Sequence, residues 1–147
     1  MIKEIRKSTL VPHSAVQMRD LVEDVERYSQ FLPWCSDARI LSNENGLTRA
    51  SLHIRYHGLN TAFTTENERL EDCAIDMKLV EGPFRMLHGK WRFVALDEMA
   101  CRVEFQLQYE FSSTTLSLIA GPVFHKIADT LVDAFVHRAG SVYGAGK

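Results

Sequence analysis

Val103-Glu104-Phe105-Gln106-Leu107-Gln108-Tyr109-Glu110-Phe111 alternates apolar and polar residues without a break. Shortly after it, Val123, Phe124, Ile127, Ala128, Leu131, Val132, Phe135, Val136 and Ala139 recur at helical spacing. A period of two marks a strand with one buried face, and a period near 3.6 marks a helix with a broad apolar stripe. Lys126, Asp129, Thr130, Asp133 and His137 cover the other side of that helix. Each element has an apolar side that needs a cover, and each can cover the other. A sheet with one long helix laid across it is a two-layer α+β domain.

The rest of the chain supplies the remaining strands. Cys101–Phe111 and His88–Leu96 read as a hairpin about Asp97-Glu98, and Gly82-Pro83 breaks the pattern before it. Further back, Ala74–Val80 and Thr61–Leu70 are strands joined at Glu71-Asp72. Leu47–His57 alternates Ala50, Leu52, Ile54 and Tyr56 with Arg49, Ser51, His53, Arg55 and His57, and Asp37–Leu41 precedes it. Asn43-Glu44-Asn45-Gly46 lies between these two, and Asn-Gly is a strong hairpin signal because both central residues of a type I′ turn need positive φ. Met1–Val11 is the first strand. Ser14 is placed to cap a helix carrying Val16, Leu21, Val22 and Val25, and Asp24 to cap a second, shorter turn. Gly121-Pro122 reads either as the start of the last helix or as a kink in a longer one. The longer helix is favoured because Leu116, Ile119 and Ala120 continue the stripe, and Tyr143-Gly144-Ala145-Gly146 should fray its end. The order is one strand, two short helices, six strands and one long helix. This predicts a curved seven-stranded antiparallel sheet around the C-terminal helix, in a single domain over residues 1–147.

Tyr28-Ser29-Gln30-Phe31-Leu32-Pro33-Trp34-Cys35 is an apolar knot at a helix-breaking proline. Trp91, Phe93, Phe105, Tyr109, Phe111, Phe124 and Phe135 face one another across the expected layers. These aromatics either pack as a solid core or line a cavity of the usual ~300–1,000 Å³. Burying ~300 Å² of ligand surface at ~25 cal/mol/Å² would yield about 7 kcal/mol before ordering costs.

The totals exclude several classes. A net charge of −2 over 147 residues gives no electrostatic drive toward DNA. No apolar run approaches the ~18 residues of a membrane span, and the first residues lack the apolar core of a signal peptide. Three well-separated cysteines, Cys35, Cys73 and Cys101, fit a reducing cytoplasm better than a disulfide framework. No nucleophile elbow, zinc-protease helix motif or phosphate loop is present. His53 and His57 on one strand face would stand about 13 Å apart, too far to share a metal ion. Cys35 reads as a buried structural thiol, and Glu66 and Glu68 as an exposed strand pair. The chain is not expected to be an enzyme.

Three motifs stand together: Tyr28-x-x-Phe31-Leu32-Pro33-Trp34-Cys35, Gly82-Pro83-Phe84-Arg85-x-Leu87-x-Gly89-x-Trp91-x-Phe93, and Gly121-Pro122-Val123-Phe124 with Phe135-x-x-Arg138-Ala139. In combination, over essentially the whole chain, they resemble the START-like, polyketide-cyclase-type family. Within that family they are similar to the bacterial ribosome-association toxins and the mitochondrial coenzyme Q-binding proteins. The resemblance implies a helix-grip fold and a hydrophobic tunnel that binds ubiquinone or a related isoprenoid in support of respiration. Ubiquinone would be a bound ligand, with no cofactor. Phe31, Leu32, Trp34, Phe84, Trp91, Phe105, Tyr109, Phe124, Ile127 and Phe135 are then the candidates to line or gate the tunnel. For toxin-like members the resemblance further implies association with the large ribosomal subunit, blocking its joining with the small one. Arg49, Arg55, Lys90 and Arg92 are the candidates for that contact. The expected partners are thus an isoprenoid or other apolar small molecule, the large ribosomal subunit and a transient membrane contact, and not DNA. No catalytic acid–base set can be placed at positions matching the family's cyclases. The runner-up reading is an aromatase or cyclase acting on a hydrophobic polyketide-like substrate.

Overall fold

Asn45 (φ 54°) and Gly46 (φ 79°) both occupy the left-handed region that a two-residue type I′ turn demands. They join β2 (Cys35–Glu44) to β3 (Leu47–Tyr56) in antiparallel register. A second turn, with Asp72 (φ 60°) and Cys73 (φ 57°) left-handed, joins β4 (Leu59–Leu70) to β5 (Ala74–Glu81). Gly82-Pro83 then leads into β6 (Phe84–Asp97), and β7 (Ala100–Phe111) follows. β1 (Lys3–Val11) pairs with β7, so the sheet runs β1-β7-β6-β5-β4-β3-β2, every neighbour antiparallel. Bulges at Cys35/Asp37, Ile40/Ser42, Thr64/Thr65, Phe84/Met86 and Ala95/Asp97 bend the strands. The computed structural model describes residues 2–144, so the expected placement of Met1 in the first strand, and of Ala145 and Gly146 in a frayed end, lies outside the described residues.

The chain crosses from the β1 edge to the β2 edge through α1 (Ala15–Glu23) and a short 3₁₀ helix (Val25–Gln30). Ser14 caps α1 in a capping box: its Oγ accepts from the Gln17 backbone N–H, and the Gln17 side chain accepts from the Ser14 N–H. Asp24 stands at the start of the 3₁₀ helix, but its carboxylate pairs with Arg27 at 3.0 Å and makes no cap.

The long helix α2 (Thr114–Tyr143) runs through Pro122. Its buried line is Ala120, Phe124, Ile127, Ala128, Val132, Phe135 and Ala139, packed on the inner sides of β6 and β7. Ile119, expected to continue the stripe, is 70% exposed, beside Leu118 at 77%. The i, i+4 spacing of Leu116, Ala120 and Phe124 keeps those three on the sheet side and turns Ile119 about 100° away. His57 also differs from expectation. It sits in the β3–β4 turn with φ 47° and not on the strand face with His53, whose Nε2 lies 2.6 Å from Asn60 Oδ1.

Candidate functional site

Trp91 and Phe105 come from the inner faces of β6 and β7, and Phe124, Ile127 and Phe135 from the facing stripe of α2. Trp34 comes from the knot. Together they enclose an apolar chamber of about 80 Å³. The rings interlock: Trp91 lies 4.5 Å from Phe105 and 5.4 Å, edge-on, from Phe135. The core is therefore neither solid nor widely open.

A second cavity of about 280 Å³ adjoins it, lined by Val22, Glu23, Ile40, Asn43, Thr48 and Arg69 among others. Val25, Tyr28, Asn67 and Met77 line both spaces and form a collar between them. Chamber and cavity together reach the low end of the ~300–1,000 Å³ usual for ligand sites. At the outer end, Arg69 donates to both carboxylate oxygens of Glu23, at 2.8 Å from Nε and 2.5 Å from Nη2. This joins α1 to β4 over the opening.

Of the sequence candidates, Trp34, Trp91, Phe105, Phe124, Ile127 and Phe135 reach the chamber wall, and Phe31, Leu32, Phe84 and Tyr109 do not. Phe84 stacks on Phe111 at 4.9 Å, and Tyr109 meets Phe124 edge-on at 4.7 Å. Both belong to an aromatic cluster beyond Phe124 that fills that end of the grip. Leu32 is buried beneath the knot, its N–H donating to the Tyr28 carbonyl. Phe31 packs on the outer side of Phe135 at 5.2 Å, with the Arg138 guanidinium 5.0 Å above its ring. The knot does face the cavity, but through Tyr28 and Trp34. Tyr28 donates its hydroxyl proton to the Val22 carbonyl, and burial pushes its pKa far up, so the phenol stays neutral.

Sequence reasoning missed Tyr28, Thr65, Asn67 and Met77. The signal for Thr65 and Asn67 was the period of two on β4. Phe63, Thr65, Asn67 and Arg69 share its inner face, opposite Leu52, Ala50 and Thr48 for the first three. The run of threonines from Thr61 to Thr65 hid which face was which.

The basic candidates share the outer face of the sheet, alternating with carboxylates. Arg49 pairs with Glu66 at 3.1 Å, and Arg92 with Glu104 at 3.1 Å. His88, on the same strand as Arg92, pairs with Asp76 of β5 at 2.8 Å. Arg55 and Lys90 have no ion-pair partner among the described residues. The four cations thus lie on one face without forming a continuous positive patch.

Cys35, with its Sγ 3.4 Å from the Asp37 carbonyl, has its thiol pushed up to about 11 by burial, which leaves no thiolate at neutral pH. Cys101 is likewise raised to about 11 by burial. All three cysteines are free. Among the described residues no group of three or more His, Cys, Asp or Glu is placed to hold a metal ion, and no helix is long and apolar enough to cross a membrane.

Residues 11–136 match the family described as polyketide cyclase / dehydrase and lipid transport. The chain is 41% identical over 144 residues to a ribosome association toxin RatA of Pseudomonas aeruginosa, covering 98% of this chain and all of that one. It is 42% identical over 145 residues to the RatA of Escherichia coli (strain K12), covering 99% of this chain and 92% of that one. A mitochondrial coenzyme Q-binding protein COQ10 homolog B of Xenopus laevis is 30% identical over 145 residues, covering 96% of this chain and 59% of that protein. Among solved structures, the Zhui aromatase/cyclase of Streptomyces sp. R1128 superposes with TM-score 0.83 at 15% identity, over 95% of this chain and 94% of that one. A START superfamily protein from Mycobacterium smegmatis superposes with TM-score 0.81 at 19% identity, over 95% and 98%. At those identities the likeness is one of fold.

Proposed function

This chain belongs to the polyketide cyclase / dehydrase and lipid transport family, and from that premise we propose that it is a non-catalytic carrier of ubiquinone or a related isoprenoid, supporting respiration. The observation that carries the reading is the apolar chamber opening through the Tyr28 collar into a wider, mixed-polarity cavity. An aromatic interior with a polar exit suits a molecule that has a flat ring and an apolar chain. The chain of a long ubiquinone cannot fit in spaces of about 80 and 280 Å³, so it must leave through the mouth. Leu41 and Leu47 are exposed on the β2–β3 hairpin, whose Asn43, Gly46 and Thr48 line the outer cavity. They offer a site for a transient contact with the membrane that holds such lipids, from the cytoplasmic side.

The test is native mass spectrometry of protein purified from a quinone-producing host, followed by solvent extraction. Release of ubiquinone, or rebinding of added ubiquinone by the emptied protein, supports the reading. Absence of any extractable lipid together with no rebinding ends it.

The relatives named as ribosome association toxins favour a second activity on the opposite face. In this reading the outward Arg49, Arg55, Lys90 and Arg92 contact the large ribosomal subunit and block its joining with the small one. Lys and Arg side chains there would meet rRNA phosphates. Sedimentation of ribosomes with added protein tests it. Arg55 and Lys90, which hold no carboxylate, are the first to reverse. If the subunits still join, the activity is absent; if Arg55→Glu with Lys90→Glu blocks them as well as the parent protein does, the contact does not run through these residues. The aromatase or cyclase alternative rests on the likeness to Zhui. Turnover of a polyketide-like substrate would establish it over the carrier reading.

A further inference from the structure

The cavity wall carries hydrogen-bond donors that no protein acceptor meets. Asn67 lies at the collar and faces both spaces. Its Oδ1 accepts the Thr65 hydroxyl at 2.9 Å, and no described residue accepts from its Nδ2. Trp34 and Trp91 line the inner chamber, and neither indole N–H finds an acceptor among the described residues. The neighbouring hydroxyls are already committed as donors, Thr65 to Asn67 and Tyr28 to the Val22 carbonyl. These donors stay open to water, since among the described residues only Arg19 Nε and Arg102 Nε are buried without a partner. Here the missing partner is one that an occupant can bring.

The position of Asn67 also sets the depth at which that partner sits. Along the inner face of β4, Phe63 and Thr65 line the chamber only, Asn67 lines both spaces and Arg69 lines the outer cavity only. Arg69 is held by Glu23 through Nε and Nη2, and Asn67 is the neutral donor of this face that borders both spaces. The chamber, at about 80 Å³, is smaller than the ~150 Å³ apolar cavity that accepts a benzene ring. A ring must therefore straddle the collar, with its inner edge among the aromatics and its outer edge beside Asn67.

We propose that the cavity selects flat apolar ligands bearing a hydrogen-bond-accepting oxygen, a ring carbonyl above all. That oxygen accepts from Asn67 Nδ2 at the collar, while the ligand's chain leaves through the outer cavity. This makes Asn67 a specificity-determining residue, and it rests on the lipid-carrier reading above, narrowing it to carbonyl-bearing rings. An unsubstituted hydrocarbon of the same shape satisfies the apolar walls and leaves the amide unpaired.

The experiment compares decylubiquinone with decylbenzene, a ring and chain without oxygen, by titration calorimetry on the full-length chain. The expected result is binding of decylubiquinone about tenfold tighter than decylbenzene, the size of one net hydrogen bond. In Asn67→Leu that preference disappears through loss of quinone affinity, with decylbenzene binding unchanged. Asn67→Asp keeps the shape and removes the donor, and it shows the same selective loss. It carries the test if the leucine variant does not fold, with circular dichroism reporting the fold of both. Equal affinities in the parent protein overturn the proposal, as does undiminished quinone binding in the folded variants. In either case bound decylbenzene leaves the carrier reading standing. If the parent binds neither probe, the carrier reading and this proposal fall together.

Discussion

Arg69 on β4 and Glu23 at the end of α1 are joined by two parallel hydrogen bonds over the mouth of the outer cavity. The pair lies 46 residues apart in sequence and holds together the two walls a ligand must pass between. Arg69 is half exposed, with 52% side-chain accessibility, and such pairs contribute about 0–1 kcal/mol. Arg69→Ala is therefore expected to lower stability by less than about 1 kcal/mol and to speed ligand entry. Stopped-flow quenching of tryptophan fluorescence by decylubiquinone measures this directly, because both tryptophans of the chain line the chamber. An unchanged association rate would mean the mouth is not the entrance.

Trp34 and Phe31 come from the same knot and should part company on mutation. Trp34 is buried at the chamber wall, and its truncation to alanine should cost about 3–5 kcal/mol and weaken decylubiquinone binding. Phe31 is half-buried on the far side of Phe135. Phe31→Ala should cost a smaller amount, about 1–3 kcal/mol, and leave binding intact. Chemical denaturation paired with the same quenching titration distinguishes the two.

Gly89 faces the chamber side of β6, where an added Cβ would stand 2.6 Å from the Met77 terminal methyl and 3.3 Å from Leu107 Cδ1. Met77 is flexible enough to swing aside, and both residues line the chamber. Gly89→Ala should thus shift stability by no more than about 1 kcal/mol while weakening quinone binding, because the displaced side chain takes up ligand space.

Gly82 behaves differently. At φ 150°, its Cβ would lie 2.6 Å from Phe63 Cβ and 3.2 Å from Phe63 Cα. Those atoms cannot rotate away, so Gly82→Ala should destabilise by about 2 kcal/mol or more, seen as a lower melting temperature.

Cys35 and Cys101 give the fold an alkaline limit. Burial raises both thiols from an ordinary 9.0 to about 11, favouring the protonated form in the native state. Between those values the unfolded chain has lost protons that the native state retains, so stability falls as pH rises. The contribution is complete below about pH 9 and is lost as pH approaches about 11. Tyr28, raised in the same direction by burial, adds to the slope. Thermal unfolding at pH 8 and pH 10.5 should show the drop, and Cys35→Ala with Cys101→Ala should reduce it. The same burial predicts that native Cys35 resists alkylation by iodoacetamide at pH 7.5 and reacts once the protein is unfolded.

The elements were legible because each depends on neighbours in sequence. The alternation from Val103 to Phe111, the Asn45-Gly46 turn, the Ser14 cap and the stripe of α2 are local patterns. They follow from side-chain direction in strands and helices and from backbone conformations open to few residues. Pro122 inside α2 could be read the same way, since Leu116 and Ala120 continue the buried line across it. Local pattern failed at Ile119 and His57, where one residue's angular position or one turn conformation decided exposure.

Tertiary structure alone decided which aromatics enclose space and which merely pack. Trp34 and Phe31 are three residues apart, and Phe105 and Tyr109 lie on one strand face, yet in each pair only the first reaches the chamber. Whether a side chain borders a void depends on the rings brought against it from distant strands and from α2, and on how far the bulged strands curve. Likewise, a lone Asn67 in a threonine-rich strand reads as ordinary surface polarity. It becomes an unpaired donor at a collar only when α1, the 3₁₀ helix and β5 close around it.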